Sequence, residues 1–391
     1  MRAPAPVSRR QGPRQVAVLV ESSNAYARNL LRGVVNYVRE HQPWSLHLVE
    51  QSRGEAAPGW LKEWKGDGIL ARIENQSIAD AVLATGLPAV DLSAGRFASS
   101  LPWVETDDRK IAALAYQHLS DRGFQHFAFC GDDRFNWSRG RGAEFMRLAQ
   151  EHGMKVQVFQ PSARRVEVAA QIESLEHWVK QLPKPIGVMA CYDSRGQQLL
   201  DACRSVGVAV PEEVAVIGVD DDDLLCELTF PPLSSVVPNA IKTGYSAAAL
   251  LDAMMHGAPR EVVEIRVAPT GITARQSTDI FAMEDRLVAR MMRFIRQHAC
   301  DPIAVTDVVH ESAVSRRVLE KRFGQAIGRT PHELIVETRV NRVKTLLIET
   351  KLSLEEIAAR TGFEHPEYMT VMFKRVMGES PGRFRRAARV K

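Results

Sequence analysis

The sequence predicts two parts: an α/β region with two lobes, each built on a parallel, doubly wound sheet, and after it an all-α domain with two helix-turn-helix units. Three observations carry this prediction. Short β-branched runs alternate with amphipathic helical stretches as far as residue 268, the patterns after residue 283 are helical, and the helical part contains two related halves. At 391 residues the chain has room for two or three domains.

The strand candidates are mostly apolar on both faces, as in a parallel sheet that helices cover on both sides. They are Val16–Val20, Leu46–Glu50, Gly68–Arg72, Ala89–Leu92, Phe127–Gly131, Val156–Phe159, Gly187–Ala190 and Val214–Val219. These strands are too many for one compact sheet. The alternation of strands and helices breaks at Trp103–Thr106, before a helix predicted over Asp107–Asp121. We therefore expect two similar lobes that the chain crosses between more than once, with a ligand cleft at the carboxyl ends of the strands.

These patterns divide the chain into four segments. Residues 1–14 form a loose tail, 15–268 the α/β region, 269–283 a linker whose stretch Pro269–Asp279 is rich in Pro, Gly and Thr, and 284–391 the helical domain. The helices predicted in the last segment are Glu284–His298, Val305–Glu311, Ser315–Ala326, Pro331–Thr350, Ser353–Thr361 and Pro366–Met377.

Composition limits the class of protein. With 45% hydrophobic and 25% charged residues it is typical of a soluble globular chain. No apolar run reaches the roughly 18 residues of a spanning helix. Val16–Val20 is shorter than the roughly 7–15 residues of a signal-peptide core, so we expect a cytoplasmic protein. Five scattered cysteines without C-x-x-C spacing predict neither disulfides nor a zinc site, and we expect no cofactor.

The net charge of +4 is unevenly distributed along the chain. Residues 282–391 hold 21 Lys and Arg against 14 Asp and Glu, whereas the remaining residues hold 30 against 33. A basic segment attached to a slightly acidic body indicates a polyanionic partner for that segment.

The two halves of the helical domain share one plan, which is a short helix, a tight turn and a longer helix. They span Val305–Phe323 and Leu354–Arg375. In the second half, Gly362 stands where the turn needs a positive φ, and Phe363 and Phe373 would fill the small core between the helices.

The distance between the two halves would allow both of them to bind one DNA duplex. Ser315 and Ser353 are the expected N-caps of helices in the two units. The intervening helix, Pro331–Thr350, would span roughly 30 Å at about 1.5 Å per residue. Successive major grooves on one face of DNA lie about 34–36 Å apart, so one chain could place both second helices in adjacent grooves.

The helical domain closely resembles the DNA-binding domain of the AraC/XylS family of transcription regulators over about residues 284–388. The residues that carry the resemblance are Ile357, Ala358, Gly362, Phe363, Tyr368, Phe373, Lys374, Arg375, Gly378, Pro381, Phe384 and Arg385. The sequence departs from the common pattern at Met369, where Phe is usual, and at Val371, where Arg is common.

The resemblance implies double-stranded DNA as the partner and names the outward residues of the two second helices. These are Arg317, Glu320, Lys321, His365, Glu367 and Thr370. Arg and Lys can donate to guanine and Glu can accept from cytosine, while Arg316 and Lys374 suit phosphates. The alternative is that these residues form solvated polar faces of a protein-interaction domain.

The α/β region resembles the sensor of the LacI/GalR regulators, which is related to periplasmic sugar-binding proteins. The segments that carry this resemblance are Asp67–Leu70, Val216–Asp220, Leu233–Val236, Lys242–Leu251 and Val267–Pro269. In that family the DNA-binding head is N-terminal, whereas here the DNA-binding domain follows the sensor. The resemblance implies a periplasmic-binding-protein-like fold. Together with the AraC/XylS-like domain, it implies a monosaccharide effector with a pentose such as xylose first, a homodimer, activation of pentose catabolic genes and contact with RNA polymerase.

A monosaccharide site needs side chains that exchange several hydrogen bonds with hydroxyl groups, and an aromatic face over the C–H side of the ring. The candidates at strand ends are Glu21, Ser22, Asn24, Asp91, Trp137, Arg141, Asp193 and Asp220. Asp220 and Arg141 match the family pattern best. Simpler roles remain open: Asp220 begins a run of four aspartates and could be a solvated turn, Arg141 a surface residue, Trp137 a core residue and Glu21 a surface acid.

Two other functions are rivals to that of a sugar-responsive regulator. A dinucleotide-binding enzyme would need a Gly-rich loop between strand and helix, but the one candidate, Gly140–Phe145, lacks the third glycine and lies beyond its strand. We therefore predict that the protein is not an enzyme. The second rival is a DNA-binding regulator whose α/β region serves only for dimerisation.

Overall fold

The computed structural model describes residues 12–49, 56–93, 95–159, 168–259, 261–279, 285–350 and 352–388. Within these ranges the chain forms two α/β lobes and a helical domain, which confirms the predicted fold class. Among the described helices, none is long and apolar enough to cross a membrane.

The elements follow one another in the order that the sequence predicts. The first lobe begins with β1 (Arg14–Leu19), α1 (Ala25–Glu40), β2 (Trp44–Leu48), β3 (Gly68–Ala71), α2 (Gln76–Ala84), β4 (Ala89–Asp91) and β5 (Trp103–Thr106). The second lobe contains α3 (Asp108–Ser120), β6 (Phe127–Cys130), α4 (Asn136–Glu151), β7 (Val156–Phe159), α5 (Val168–Gln181), β8 (Ile186–Ala190), α6 (Asp193–Ser205), β9 (Val214–Val219), α7 (Asp223–Leu228) and β10 (Ser234–Val237). The chain then forms α8 (Ala240–Met255), β11 (Glu264–Val267) and β12 (Gly271–Thr273).

Within the described residues, each lobe is built on a six-stranded sheet. The strand order is β11-β5-β4-β3-β1-β2 in the first lobe and β12-β10-β9-β8-β6-β7 in the second. The ladders are parallel, except that β12 runs antiparallel to β10. The chain therefore enters the second lobe after β5, returns to the first for α8 and β11, and crosses again to β12.

The structure corrects two expectations about element boundaries. Trp103–Thr106, expected as a break, is the strand β5, and the crossing to the second lobe comes directly after it. Residues 271–278, assigned to a linker by composition, belong to the second lobe because β12 pairs with β10, and Ser277 and Thr278 are fully buried. Short strands of three or four residues with mixed polarity, such as β5, β10, β11 and β12, give too little periodicity for prediction.

The helical domain matches the prediction closely and adds one helix at its end. It contains α9 (Arg286–His298), α10 (Val305–Ser312), α11 (Arg316–Ile327), α12 (Pro331–Glu349), α13 (Leu354–Arg360), α14 (Pro366–Met377) and α15 (Pro381–Ala388). The hydroxyl of Ser315 accepts from the Val318 N–H, and that of Ser353 accepts from the Glu356 N–H, so both predicted N-caps are confirmed. Gly362 has φ +72 in the turn between α13 and α14, also as predicted.

The helical domain is docked on the second lobe through α9. Arg296 Nη1 lies 3.1 Å from the carboxylate of Glu212, which is only 2% exposed. Arg293 donates to the carbonyl oxygen of Gly207 at 3.4 Å. The buried apolar residues of the second lobe and of the first helix-turn-helix unit form one contiguous cluster. The domain therefore has a fixed place on the second lobe.

Candidate effector cleft and nucleic-acid interface

A cavity lies in the cleft between the two lobes. Its lining comes from the carboxyl ends of strands in both lobes and from the helices that follow them. The lining residues are Tyr26, Arg72, Leu92, Ser93, Glu105, Thr106, Asp108, Trp137, Arg141 and Asp220. The lobes also touch across the cleft, where Asn136 donates to the Gly95 carbonyl at 2.9 Å and Arg28 lies 3.7 Å from Asp222.

Arg72 forms the cationic wall on the side of the first lobe. It is buried, pairs with the carboxylate of Glu21, and lies 2.8 Å from that of Glu74. Its guanidinium also stands over the ring of Tyr26, 5.3 Å from the centroid. Two carboxylates from its own lobe thus hold Arg72 in place, with its guanidinium at the cavity.

Arg141 forms the matching wall on the side of the second lobe. Its Nε donates to Asp108 at 2.7 Å and its Nη1 donates to the Cys191 carbonyl at 2.6 Å. The guanidinium lies 4.9 Å from the ring centroid of Trp137. Burial raises the pKa of Asp108, and the nearby Arg141 opposes that rise. Arg141 is buried, so the alternative of a surface helix residue is wrong.

Asp220 follows β9 in a strained turn at the cavity. Its φ is +112 and that of Asp221 is +49, in a region that residues other than glycine rarely adopt. The turn is held by Arg275, 2.8 Å from Asp221, and by the Ser235 hydroxyl, which accepts from the Asp221 N–H at 3.0 Å. Backbone strain that the surroundings impose in this way often marks a functional position.

A further carboxyl at the cavity, Glu105, was not foreseen from the sequence. It lies 2.6 Å from Arg96, but burial outweighs this cation and raises its pKa to about 7. Ser93 and Thr106 add hydroxyl groups near it. Glu105 and Thr106 lie in β5, which was not predicted as a strand, whereas Arg72 ends a predicted strand and could have been named by the strand-end rule.

The structure brings three of the eight predicted effector residues, Trp137, Arg141 and Asp220, to the cavity. The others brace the loops around it, apart from Ser22, whose carbonyl accepts from Arg28. The amide of Asn24 donates to Glu21 and its oxygen caps α1, so these two residues act behind Arg72.

Two further predicted effector residues are structural. Asp91 accepts from the N–H groups of Ile73 and Ser93, and burial raises its pKa to about 6. Asp193 accepts from the Ser235 hydroxyl at 2.6 Å and the Asp222 N–H at 2.8 Å, which fixes the turn that carries Asp220.

The second helices of the two helix-turn-helix units, α11 and α14, expose polar faces. Of the eight residues predicted to contact DNA, Glu320 and Thr370 are half-buried and the other six are exposed. Arg316 and Glu320 form an ion pair at 2.8 Å along α11. The helix α12 separates the two units, and the apolar residues of the second unit, among them Phe363 and Phe373, form a core of their own.

Three parts of the chain match known protein families. Residues 15–108 match the XylR N-terminal domain, 116–278 the periplasmic binding protein-like domain, and 308–387 a helix-turn-helix domain. Over 380 residues the chain is 30% identical to the xylose operon regulatory protein of Escherichia coli (strain K12). This alignment covers 95% of this chain and 96% of that protein. The chain belongs to the family of xylose operon regulatory proteins.

A second relative and two solved structures are also similar to this chain. The xylose operon regulatory protein of Haemophilus influenzae is 29% identical over 384 residues, covering 95% of this chain and 98% of that protein. The structure of the xylose-binding transcription activator XylR superposes with a TM-score of 0.83 at 29% identity, covering 96% of this chain and 98% of that one. The cellobiose complex of the regulator CelR, at 22% identity and a TM-score of 0.58, shares the fold of the sensor.

These relationships establish the class of protein. The chain is a transcription regulator that joins a sugar-sensing, periplasmic-binding-protein-like domain to an AraC-type DNA-binding domain, and its relatives are regulators rather than enzymes.

Proposed function

We propose that this chain is a pentose-responsive activator, with xylose as the first candidate effector, and that the cavity between the lobes is the effector site. The observation that carries the proposal is that two buried guanidinium groups, Arg72 and Arg141, and the carboxylate of Asp220 line one cavity between the lobes. The names of the relatives support xylose, because they are xylose operon regulatory proteins and a xylose-binding activator.

The chemistry of this lining suits a small polyol. Asp220 accepts hydrogen bonds from hydroxyl groups, the two arginines donate to them, and the hydroxyls of Ser93 and Thr106 do either. Trp137 and Tyr26 add aromatic rings to the lining, which suits the C–H groups of a sugar. Net binding then comes from several charged hydrogen bonds, each of which contributes about 1.5–3 kcal/mol.

Calorimetric titration of the full chain with D-xylose, L-arabinose, D-ribose and D-glucose tests this assignment. We expect a pentose to bind, and we expect Arg141→Lys to weaken that binding because a Lys ammonium cannot reproduce the forked contacts. If none of these sugars binds, the pentose assignment is wrong and the second candidate function, a dimerisation module without a ligand, is favoured.

We further propose that the protein acts on DNA as a homodimer in the cytoplasm and recruits RNA polymerase. One chain carries two helices, α11 and α14, that would enter the major groove. A dimer formed through the sensor would hold two such pairs of helices on neighbouring half-sites, which increases the overall affinity through avidity. We propose that the sugar closes the cleft and thereby changes the relative placement of the two DNA-binding domains in the dimer. The sugar can do so only if it binds the closed cleft more tightly than the open one. The docking of α9 on the second lobe supports this coupling, because movement of that lobe would carry the DNA-binding domain with it.

The test compares DNA binding on single and paired half-sites at fixed salt. Full-length protein should bind the paired site more tightly with saturating D-xylose, whereas its affinity for a single half-site should be the same with and without the sugar. Equal affinity of the full chain for paired sites in both conditions would show that the sensor acts after DNA binding, on polymerase recruitment.

A further inference from the structure

The outward face of α14 has an apolar residue at its centre. Val371 lies midway between Met369 and Phe373, both of which are fully buried in the core beneath the helix. Because an α-helix has 3.6 residues per turn, a residue two positions from each of them points directly away from that core. Val371 is accordingly 59% exposed.

The equivalent position of α11 carries a cation instead. Lys321 lies midway between Leu319 and Phe323, which are fully buried, and it is exposed. The two units are therefore built alike but present different chemistry at the outermost point of the second helix. Thr370, which the sequence resemblance selects, lies to the side of that point and is half-buried.

The neighbours of Val371 indicate what kind of surface approaches it. On the same stripe, one helical turn away, lie Glu367 on one side and Lys374 and Arg375 on the other, all exposed. Apart from the partly exposed Tyr368, Val371 is thus an apolar group among charges, too small a patch for a protein interface core. The cationic excess of residues 282–391 favours a polyanion instead.

In the major groove of DNA, the apolar group that a base edge presents is the 5-methyl group of thymine. We propose that Val371 reads a thymine methyl, so that α14 selects thymine at one position, while Lys321 on α11 contacts guanine or a phosphate. This proposal rests on the proposed function in one respect, which is that the helical domain binds duplex DNA.

The test removes the methyl group and nothing else. Full-length protein first selects sites from random duplex DNA, with and without D-xylose, and each thymine of a selected site is then replaced singly by deoxyuridine. The variants are Val371→Ala and, as the matched control, Val376→Ala, which removes a similarly exposed valine (45%) from another side of the same helix. Dissociation constants are measured at fixed salt, because phosphate contacts make affinity strongly salt-dependent.

We expect one thymine whose replacement weakens binding of the unchanged protein about fourfold, the amount that corresponds to one buried methylene-sized group. Val371→Ala should lose a similar factor on the thymine site and show no further loss with deoxyuridine, whereas Val376→Ala should behave as the unchanged protein does. In a double-mutant cycle the two changes would then be coupled.

Two results overturn the proposal. One is a selected site in which no deoxyuridine replacement weakens binding, and the other is full deoxyuridine sensitivity in Val371→Ala. Both leave tight, selective DNA binding intact, and so leave the proposed regulator function standing. If no sequence is enriched in either condition, the regulator function itself is contradicted.

Discussion

Replacement of Asp220 separates the chemistry of the effector site from the strain of its backbone. Because Asp220 has φ +112, a change to Ala would combine the loss of a carboxylate with a side chain that tolerates this backbone conformation poorly. Asp220→Asn removes the charge and keeps a residue that accepts positive φ, while Asp220→Gly removes the side chain and relieves the strain.

The expected magnitudes follow from the hydrogen bonds at stake. A bond to a charged group contributes about 1.5–3 kcal/mol and a neutral one about 0.5–1.5 kcal/mol. Asp220→Asn should therefore cost about 1–1.5 kcal/mol, or about five- to twelvefold in sugar affinity. Asp220→Gly and Asp220→Ala should both lose about tenfold or more, but the glycine variant should be more stable than the alanine variant by about 1 kcal/mol.

Calorimetric titration with D-xylose gives the affinities, and thermal unfolding gives the stabilities. The matched control is Asp223→Asn, which changes an exposed aspartate of the same acidic run that does not line the cavity. Sugar affinity unchanged in Asp220→Asn would remove this carboxylate from the site. Equal stability of the glycine and alanine variants would refute the role that we assign to backbone strain.

Three further outcomes follow from the structure. Arg317→Ala should cost about 1–3 kcal/mol of binding free energy on a cognate site and relax selectivity at one base pair, whereas Arg316→Ala should weaken binding to all sequences alike and lower the slope of log affinity against log salt by about 1. Anisotropy titrations on cognate and scrambled DNA distinguish the two variants, and equal losses on both DNAs for Arg317→Ala would contradict the assignment. Arg296→Ala removes the ion pair with the buried carboxylate of Glu212, so paired-site binding should lose its sugar response while single-site affinity stays the same. A retained response would show that this contact does not couple the domains. Burial raises the pKa of Glu105 from its usual 4.5 to about 7, so between these pH values the folded chain binds more protons there than the unfolded chain does. The free energy of unfolding should therefore fall as the pH rises from about 5 to 7. Urea titrations of Glu105→Gln should show a shallower fall, and a pH profile identical to that of the unchanged protein would contradict the raised pKa.

Local patterns were enough to predict the fold class. The buried strands β3 and β9 lie within runs that are apolar on both faces, and α14 spans the predicted Pro366–Met377. Capping residues and the turn glycine Gly362 act on the backbone within a few positions of themselves, so their effects can be inferred without knowing the rest of the chain. The short strand β5 and the antiparallel β12 could not be inferred in this way, because neighbouring strands rather than their own composition stabilise them.

The sequence by itself determined the order of the lobes, the two helix-turn-helix units and the general location of an effector site at strand ends. Only the tertiary structure decided which strand-end side chains reach the cavity. Arg72 and Glu105 reach it, while Glu21 and Asp193 brace the residues around it. The reason is physical: helix and strand periodicity is set by neighbours along the chain, whereas the direction of a polar side chain is set by the partner that satisfies its hydrogen bonds, and here that partner lies far away in the sequence.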